Sequence, residues 1–567
     1  MRLVFPPAGL RLPRLRPYLP RPDDPAIFGL DLERKDILQE VVRRVMARCE
    51  ARPGGLEYAL NEVAFHESER LASGDARPEE RAELPRWRAL LHRVGRMDET
   101  ERRATLRELA SRMADDVAGR FDPRVYRFAV GVLPHLVGRL SRSEDEDGGT
   151  TRALDRLDAL VQVEGPIDRL RVIARHATLV LVPTHSSHLD SIVLGYALHR
   201  HGLPPVAYGA GKNLFTHPLL SFFMHNLGAY RVDRRIRATL YKDVLKTYAG
   251  VLVERGYGSL FFPGGTRSRS GCVETRLKLG LAGAAVEAAA RNALARRARS
   301  VVFVPATINY ALVLEAETLI DDWLRERGKA RYIIEDDETG RVERWVAFFR
   351  KLVNFSAACI VRFGEPLDAW GNAVDDEGRS VSPDGRRIDP VGYLTSSGRA
   401  AHEPARDVGY TQQLGELLPA RYLRDTVVTS TQLVAHVLYR RLVRSTPGVD
   451  VFGRIRYRGD VSVPRAELLA DLGATRERLG ELEARGRVRR SRLVATLPVE
   501  VLLERATSLW SGYHTRVAAR DRGTEIVVED PPLLLYYQNR LAPFAEALAD
   551  EANLPAAREI AAAGARP

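Results

Sequence analysis

Three cysteines in 567 residues, Cys49, Cys272 and Cys359, are too few and too scattered for a disulfide scaffold or a cysteine-based zinc ribbon. They fit a reducing compartment. Lysine is also scarce: seven of the 86 basic residues are lysine and 79 are arginine, a bias read as genome composition and discounted as a sign of function. Long apolar runs are missing as well. Pro6, Pro7, Pro13, Pro17 and Pro20 break any secretory core, so residues 1–26 read as a basic, proline-rich arm. The nearest approach to a membrane span is Asn213–Tyr230, eighteen residues without Asp, Glu, Lys or Arg. His217, Pro218, His225 and Asn226 make it too polar to span a bilayer. It reads as a buried core helix, with a dip into a membrane interface as the alternative. No G-x-S-x-G elbow supports a serine hydrolase. The GAGKN at 209–213 lacks the flanking residues of a phosphate loop, and no internal repeat is found.

What is present is a globular mixture, 45% hydrophobic and 28% charged, long enough for two to four domains. The net charge of +12 suits phosphates, anionic lipid headgroups, an acidic carrier protein or nucleic acid. Residues 27–145 carry apolar residues at spacings of three and four, which predicts a helical domain. The acidic, glycine-containing stretch Ser141–Thr151 is a linker. Across 146–408 the pattern changes. Short β-branched runs at Thr178–Pro183, Pro205–Tyr208, Ser259–Phe262, Val301–Ile308 and Cys359–Phe363 alternate with helical segments at Ser191–His201, Ile236–Arg255 and Leu279–Ala295. That alternation predicts an α/β domain with a mostly parallel sheet flanked by helices. Residues 366–408 read as a polar insertion or lid, and 409–567 as a mainly helical region whose alanine-rich tail from Ala556 frays.

The chemistry gathers where strands end. Thr178–Pro183 runs into Thr184-His185-Ser186-Ser187-His188-Leu189-Asp190, with a helix from about Asp190. A tight turn can bring the Asp190 carboxylate back to one nitrogen of His185, fixing the tautomer and leaving the other nitrogen as a base. The bland alternative is a packed histidine and an N-capping aspartate. His185 and His188 have no third ligand nearby, so no metal is expected. Further on, Arg231 and Arg234 follow Gly228. The turn Phe262-Pro263-Gly264-Gly265-Thr266-Arg267-Ser268-Arg269-Ser270-Gly271 sets two arginines among hydroxyls, which suits a phosphate monoester. Val304-Pro305-Ala306-Thr307-Ile308-Asn309-Tyr310 is a strand with an embedded proline.

In order and spacing these four segments resemble the four motif blocks of the glycerophospholipid acyltransferase superfamily. His185-Ser186-Ser187-His188-Leu189-Asp190 looks like the form found in glycerol-3-phosphate acyltransferases. Leu534–Leu541 (LLYYQNRL) is similar to a segment of their large bacterial membrane-associated members. The resemblance implies transfer of a fatty acyl group from acyl-CoA or acyl carrier protein to the sn-1 hydroxyl of glycerol 3-phosphate, the first step of phospholipid synthesis. It casts His185 as general base and Asp190 as its orienting acid. Arg234, Arg267 and Arg269 become phosphate ligands with help from Lys278, and Gly264, Gly265, Thr266, Ser268 and Pro305 shape the acceptor pocket. It implies no metal and no prosthetic group. Dihydroxyacetone-phosphate and lysophosphatidate acyltransferases share the fold and are the enzyme alternatives.

One departure stands out. Gly264 occupies the place where the third block usually has a glutamate associated with the acceptor site. Its loss would change the acceptor, slow the enzyme or be compensated by another carboxylate such as Glu274. It also motivates a non-catalytic lipid-binding protein as the rival reading. Phe222, Phe223 and Met224 are candidates to line an acyl tunnel, and a peripheral protein on an anionic membrane surface, at the cytoplasmic face of the cell membrane, is expected. Residues 463–490 suggest a winged helix, with helices at 463–473 and 474–484 and a basic wing at 485–490. Glu477, Glu481 and Glu483 would oppose nucleic-acid phosphates, so it reads as a packing module.

Overall fold

The computed structural model describes residues 18–73, 76, 78–140, 160–215, 218–327, 359–457 and 461–565. The arm up to residue 17 and the linker at 141–151 lie outside the described residues. Seven strands make the central sheet: β1 (Val161–Glu164), β2 (Ala177–Pro183), β3 (Ala207–Gly211), β4 (Ala229–Val232), β5 (Ser259–Leu260), β6 (Ser300–Tyr310) and β7 (Cys359–Phe363). Their order is β1-β7-β6-β2-β5-β3-β4. From β6 to β4 all neighbours are parallel. β7 runs against β6, and β1 lies parallel to β7. The sheet is mostly parallel, as the alternation of strand and helix predicts, with a reversed pair at one edge.

Continuous apolar sequence places β2 and β6 at the centre, where both faces are covered. Successive side chains point to opposite faces. Leu179 and Leu181 of β2, with Val302, Val304 and Ile308 of β6, pack against the helix Asp190–Arg200 and the C-terminal region. Val180, Val182, Val301 and Phe303 pack on the other face against the alanine-rich helix Gly280–Leu294 and the helix Pro404–Asp425. The small side chains of Ala282, Ala285, Ala288 and Ala289 let that helix lie close to the sheet. The N-terminal helices, among them Leu30–Ala51 and Glu99–Val117, form a separate apolar cluster with the helix Thr239–Glu254. Arg44, Arg48 and Arg52 tie the two together through Glu254, Glu287 and Asp243.

The C-terminal region is built around the helix Ser430–Ser445, which opens with a capping box between Thr429 and Gln432. It packs against Val499–Tyr513 and against Pro531–Gln538, all eight of whose residues are buried. The expected winged helix is absent. Residues Arg465–Ala484 are one helix of 20 residues, with no turn at Gly473. A glycine inside a helix costs about 1 kcal/mol, and the buried stripe Leu468, Leu472, Thr475, Leu479 and Leu482 outweighs it. The tail is not frayed either: Leu554–Ala565 is a helix, and Ala557 and Ile560 are buried in the main core. The segment 366–408 is no free lid. Leu367 exchanges two backbone hydrogen bonds with Phe303, and two short hairpins follow. Asn213–Tyr230 gives a short helix, Pro218–Asn226, on which Met224 is buried and Phe222 is 37% exposed, so it is neither wholly core nor wholly surface. Among the described residues no helix is long and apolar enough to cross a membrane.

Candidate functional site

Because β4, β5, β2 and β6 run parallel, the segments that follow them emerge along one edge of the sheet. That edge is where open α/β sheets place their sites. β2 delivers His185, β5 the turn 262–271, β6 Tyr310 and β4 Arg234.

His185 is held from every side. Its Nδ1 lies 2.7 Å from Asp190 Oδ2. That same oxygen accepts from the backbone N–H of Ser186 at 2.6 Å and of Ser187 at 3.0 Å, while Oδ1 accepts from the Tyr310 hydroxyl at 2.6 Å. Asp190 is fully buried, and these four donors hold its carboxylate in place. With the carboxylate on Nδ1–H, Nε2 is left as the basic nitrogen. The imidazole stacks on Phe262, with ring centroids 4.1 Å apart and planes 19° from parallel. The backbone is fixed too. His185 N–H donates to Glu274 Oε1 at 2.7 Å, and His185 C=O accepts from Ser268 N–H at 2.8 Å. Burial and the adjacent Asp190 place Tyr310 well above the usual phenol range, so it remains a donor.

The predicted cations differ in their partners. Arg267 donates to Glu315 at 3.3 Å. Glu315 also accepts from Ser187 Oγ and the backbone of His188, which ties the arginine turn to the histidine loop. Arg269 is ion-paired with Glu326, away from His185. Around Arg234, Arg231 pairs with Asp116 and Arg235 with Asp233 and Glu80. Arg234 and Lys278 have no carboxylate partner among the described residues. Desolvation and the nearby Arg267 lower the pKa of Arg234, which has no carboxylate of its own among those residues, whereas Arg267 is held by Glu315. Two neighbouring guanidinium groups suit a dianion. Thr266 is exposed beside them, Ser268 Oγ donates to the Cys272 carbonyl, and Pro305 lies inside β6 opposite Val182, buried and apart from the loop.

The glycine pair of the turn is filled from elsewhere. A Cβ on Gly264 would sit 2.9 Å from Glu274 Oε1, and one on Gly265, whose φ is +77°, would sit 2.4 Å from Lys278 Cδ. The segment 274–278 thus folds back over both glycines. Glu274 Oε2 is buried with no hydrogen-bond partner, and burial pushes the carboxyl up to about 7, against smaller downward pulls from the His185 N–H and Arg540. The sign of the resulting pH dependence follows. Below the ordinary glutamate range both folded and unfolded chains hold the proton, whereas between about pH 4.5 and 7 only the folded one does. Stability contributed by this group is therefore lost as pH rises through that window, by about 3 kcal/mol in all. Denaturant melts of wild type and Glu274→Gln across pH 5–8 should converge at the acid end and diverge in favour of Gln at the alkaline end.

Some residues of the site have no local signature in the sequence. The C-terminal segment seals the back of the loops. Arg540, only 6% exposed, donates from Nη2 to Ser186 Oγ and to the Ile308 carbonyl, both at 3.2 Å. Asn539 donates to the Ser270 carbonyl at 2.8 Å, and Gly271 lies so near the Tyr536 carbonyl that a Cβ would come within 2.1 Å. The side chains of Glu315 and Arg540 reach the loops from far along the sequence, so no spacing rule finds these contacts.

Residues 166–309 match the family model described as Acyltransferase. Relatives named glycerol-3-phosphate acyltransferase include those of Actinobacillus succinogenes, 33% identical over 35% of this chain and 23% of their own, and Aeromonas hydrophila, 27% identical over 48% and 30%. That of Pseudomonas aeruginosa is 30% identical over 40% of this chain and 24% of its own. The matched stretch thus spans less than a third of each relative's length.

Proposed function

Residues 166–309 carry an acyltransferase domain, and from that premise we propose that the chain transfers a fatty acyl group from acyl-CoA or acyl carrier protein to the sn-1 hydroxyl of glycerol 3-phosphate. The observation that carries this reading is the 2.7 Å contact of His185 Nδ1 with Asp190, beside cations left without counter-charge. In the step proposed, the acceptor O–H gives its proton to His185 Nε2 while the oxygen bonds to the thioester carbonyl carbon. The C–S bond then breaks, and the leaving thiolate takes the proton from the imidazolium. Asp190 stabilises that imidazolium and keeps Nε2 aimed at the acceptor. Arg234 and Lys278 bind the phosphate, with Arg267 shared between it and Glu315. No residue need form a covalent acyl intermediate. The relatives' shared name supports glycerol 3-phosphate as acceptor.

The acyl chain needs an apolar host. Phe128, 52% exposed, stacks on Phe223, which in turn packs edge-on to Phe222, with Arg124 and Arg127 on the same helix as Phe128. Arg124 is paired with Asp122 and Arg127 with Asp24, so it is the aromatic rings that we assign to contact with a lipid surface, the protein being peripheral at the cytoplasmic face of the membrane.

The test offers the purified protein radiolabelled glycerol 3-phosphate, dihydroxyacetone phosphate and lysophosphatidate, each with acyl-CoA and with acyl carrier protein. Labelled lysophosphatidate from the first acceptor supports the reading. Labelling of another acceptor reassigns the substrate, and no labelling with either donor in the presence of lipid favours a non-catalytic lipid-binding protein. Arg234→Ala and Lys278→Ala should each raise the acceptor KM about 10- to 100-fold with kcat little changed, the loss of one charge-assisted contact.

A further inference from the structure

Of the four supports around His185, Asp190 belongs to its own loop, and Phe262, Ser268 and Glu274 come from the segment that follows β5. Glu274 lies ten residues beyond Gly264, and its Oε1 takes up the His185 N–H. We propose that Glu274 is the positioning residue for His185, and that position 264 is glycine because the Glu274 carboxyl occupies the space a side chain there would fill. The inference rests on the reading of His185 as the base.

The geometry leaves little slack. A buried backbone N–H must have a partner, and no other acceptor is recorded for that of His185. A Cβ at 264 would lie 2.9 Å from Oε1, 3.0 Å from Cγ and 3.2 Å from Cδ of Glu274. The end of a glutamate can swing aside, but here only by releasing His185. The cost of any side chain at 264 is therefore transferred to the position of the imidazole. Glu274 Oε2 is buried, and Tyr422, whose hydroxyl bonds the Val182 carbonyl at the end of β2, and buried Arg540 are near enough to act on it electrostatically. The hydrogen-bonded contact of Glu274 with the loop is the His185 N–H, which makes it a support for the base. The Glu274 pKa, pushed up to about 7, leaves the carboxyl about half uncharged at neutral pH and largely so below it, so what it supplies is an acceptor oxygen more than a full charge.

That distinction sets the test, made on the full chain with Glu274→Ala, Glu274→Gln, Gly264→Ala and the double variant Gly264→Ala/Glu274→Ala. Hydrogen exchange of the peptide containing His185 reads the contact without reference to activity. It should quicken in Glu274→Ala and in Gly264→Ala but stay near wild type in Glu274→Gln, which keeps an oxygen in place. In acyl transfer to glycerol 3-phosphate, Glu274→Ala should lose about 10- to 100-fold in kcat, the scale of a misplaced catalytic group, with acceptor KM nearly unchanged and Glu274→Gln largely restoring the rate. Gly264→Ala should be slow in the wild-type background and add less than about twofold to Glu274→Ala, because the two changes act on one contact. Unchanged exchange at His185 in Glu274→Ala, or an equal cost of Gly264→Ala in both backgrounds, overturns the proposal. So does a Glu274→Gln variant as impaired as Glu274→Ala. A wild type without acyl transfer defeats the proposed function instead, while the exchange data still judge the contact.

Discussion

Replacing His185 by alanine should cut kcat for acyl transfer by about 10²–10⁴, the range that general-base assistance supplies, and leave the acceptor KM nearly unchanged. The reasoning is geometric. The hydroxyl of a glycerol phosphate is far too weakly acidic to ionise at neutral pH, and the His185 imidazole is oriented by a carboxylate fixed on its opposite nitrogen. In the proposed reading the phosphate is held by Arg234, Lys278 and Arg267, so binding should survive the change. The fold should survive as well, because Asp190 keeps its Ser186, Ser187 and Tyr310 donors when the ring is gone. Circular dichroism melts of the variant should match wild type. Steady-state rates with varied glycerol 3-phosphate provide the check. A loss smaller than about tenfold would move the base elsewhere.

The second large effect is expected far from the motif blocks. Arg540→Leu removes a buried guanidinium and leaves the Ile308 carbonyl and Ser186 Oγ short of a donor. Each buried polar group so orphaned costs about 1–3 kcal/mol, so a loss of several kcal/mol in denaturant melts is expected. Ser186 is next to His185 and Ile308 is two residues before Tyr310, so the loss also loosens both ends of the Tyr310–Asp190–His185 relay. A fall in kcat should accompany the fall in stability, whereas a remote surface arginine such as Arg386 should change neither. If Arg540→Leu were stable yet slow, the arginine would act on the loop alone; if it were unaffected in both respects, the C-terminal brace would be of no consequence.

What could be read from the sequence was what short-range chemistry encodes. Thr178–Pro183 and Cys359–Phe363 are short, mostly apolar runs rich in valine and isoleucine, and they are strands of the sheet. The His185–Asp190 contact spans five residues and is fixed by a turn, so the spacing permits it and the family resemblance points to it. Val161–Glu164 escaped notice because VQVE alternates too briefly to stand out, and its edge position buries it only in part. The reversal of β7 has no local mark, since a buried strand looks the same in either direction. The single helix Arg465–Ala484 defeated the reading at Gly473, where a local breaker lost to the leucines packed on one face. Glu315, Glu274 and Arg540 matter through contacts made 48 to 354 residues away, and tertiary packing decides such partners.

That last interval has a meaning in time. Ser186 and Arg540 are 354 residues apart in a chain made from the N-terminus onward. At about 5–20 residues per second, the histidine loop leaves the ribosome roughly 20–70 s before the arginine that braces it. During that interval the nascent sheet can assemble around β2 and β6 while its reactive edge is still unsupported. On the proposed function, a site braced by a segment 354 residues further along the chain is held back from acyl transfer until that segment has been made.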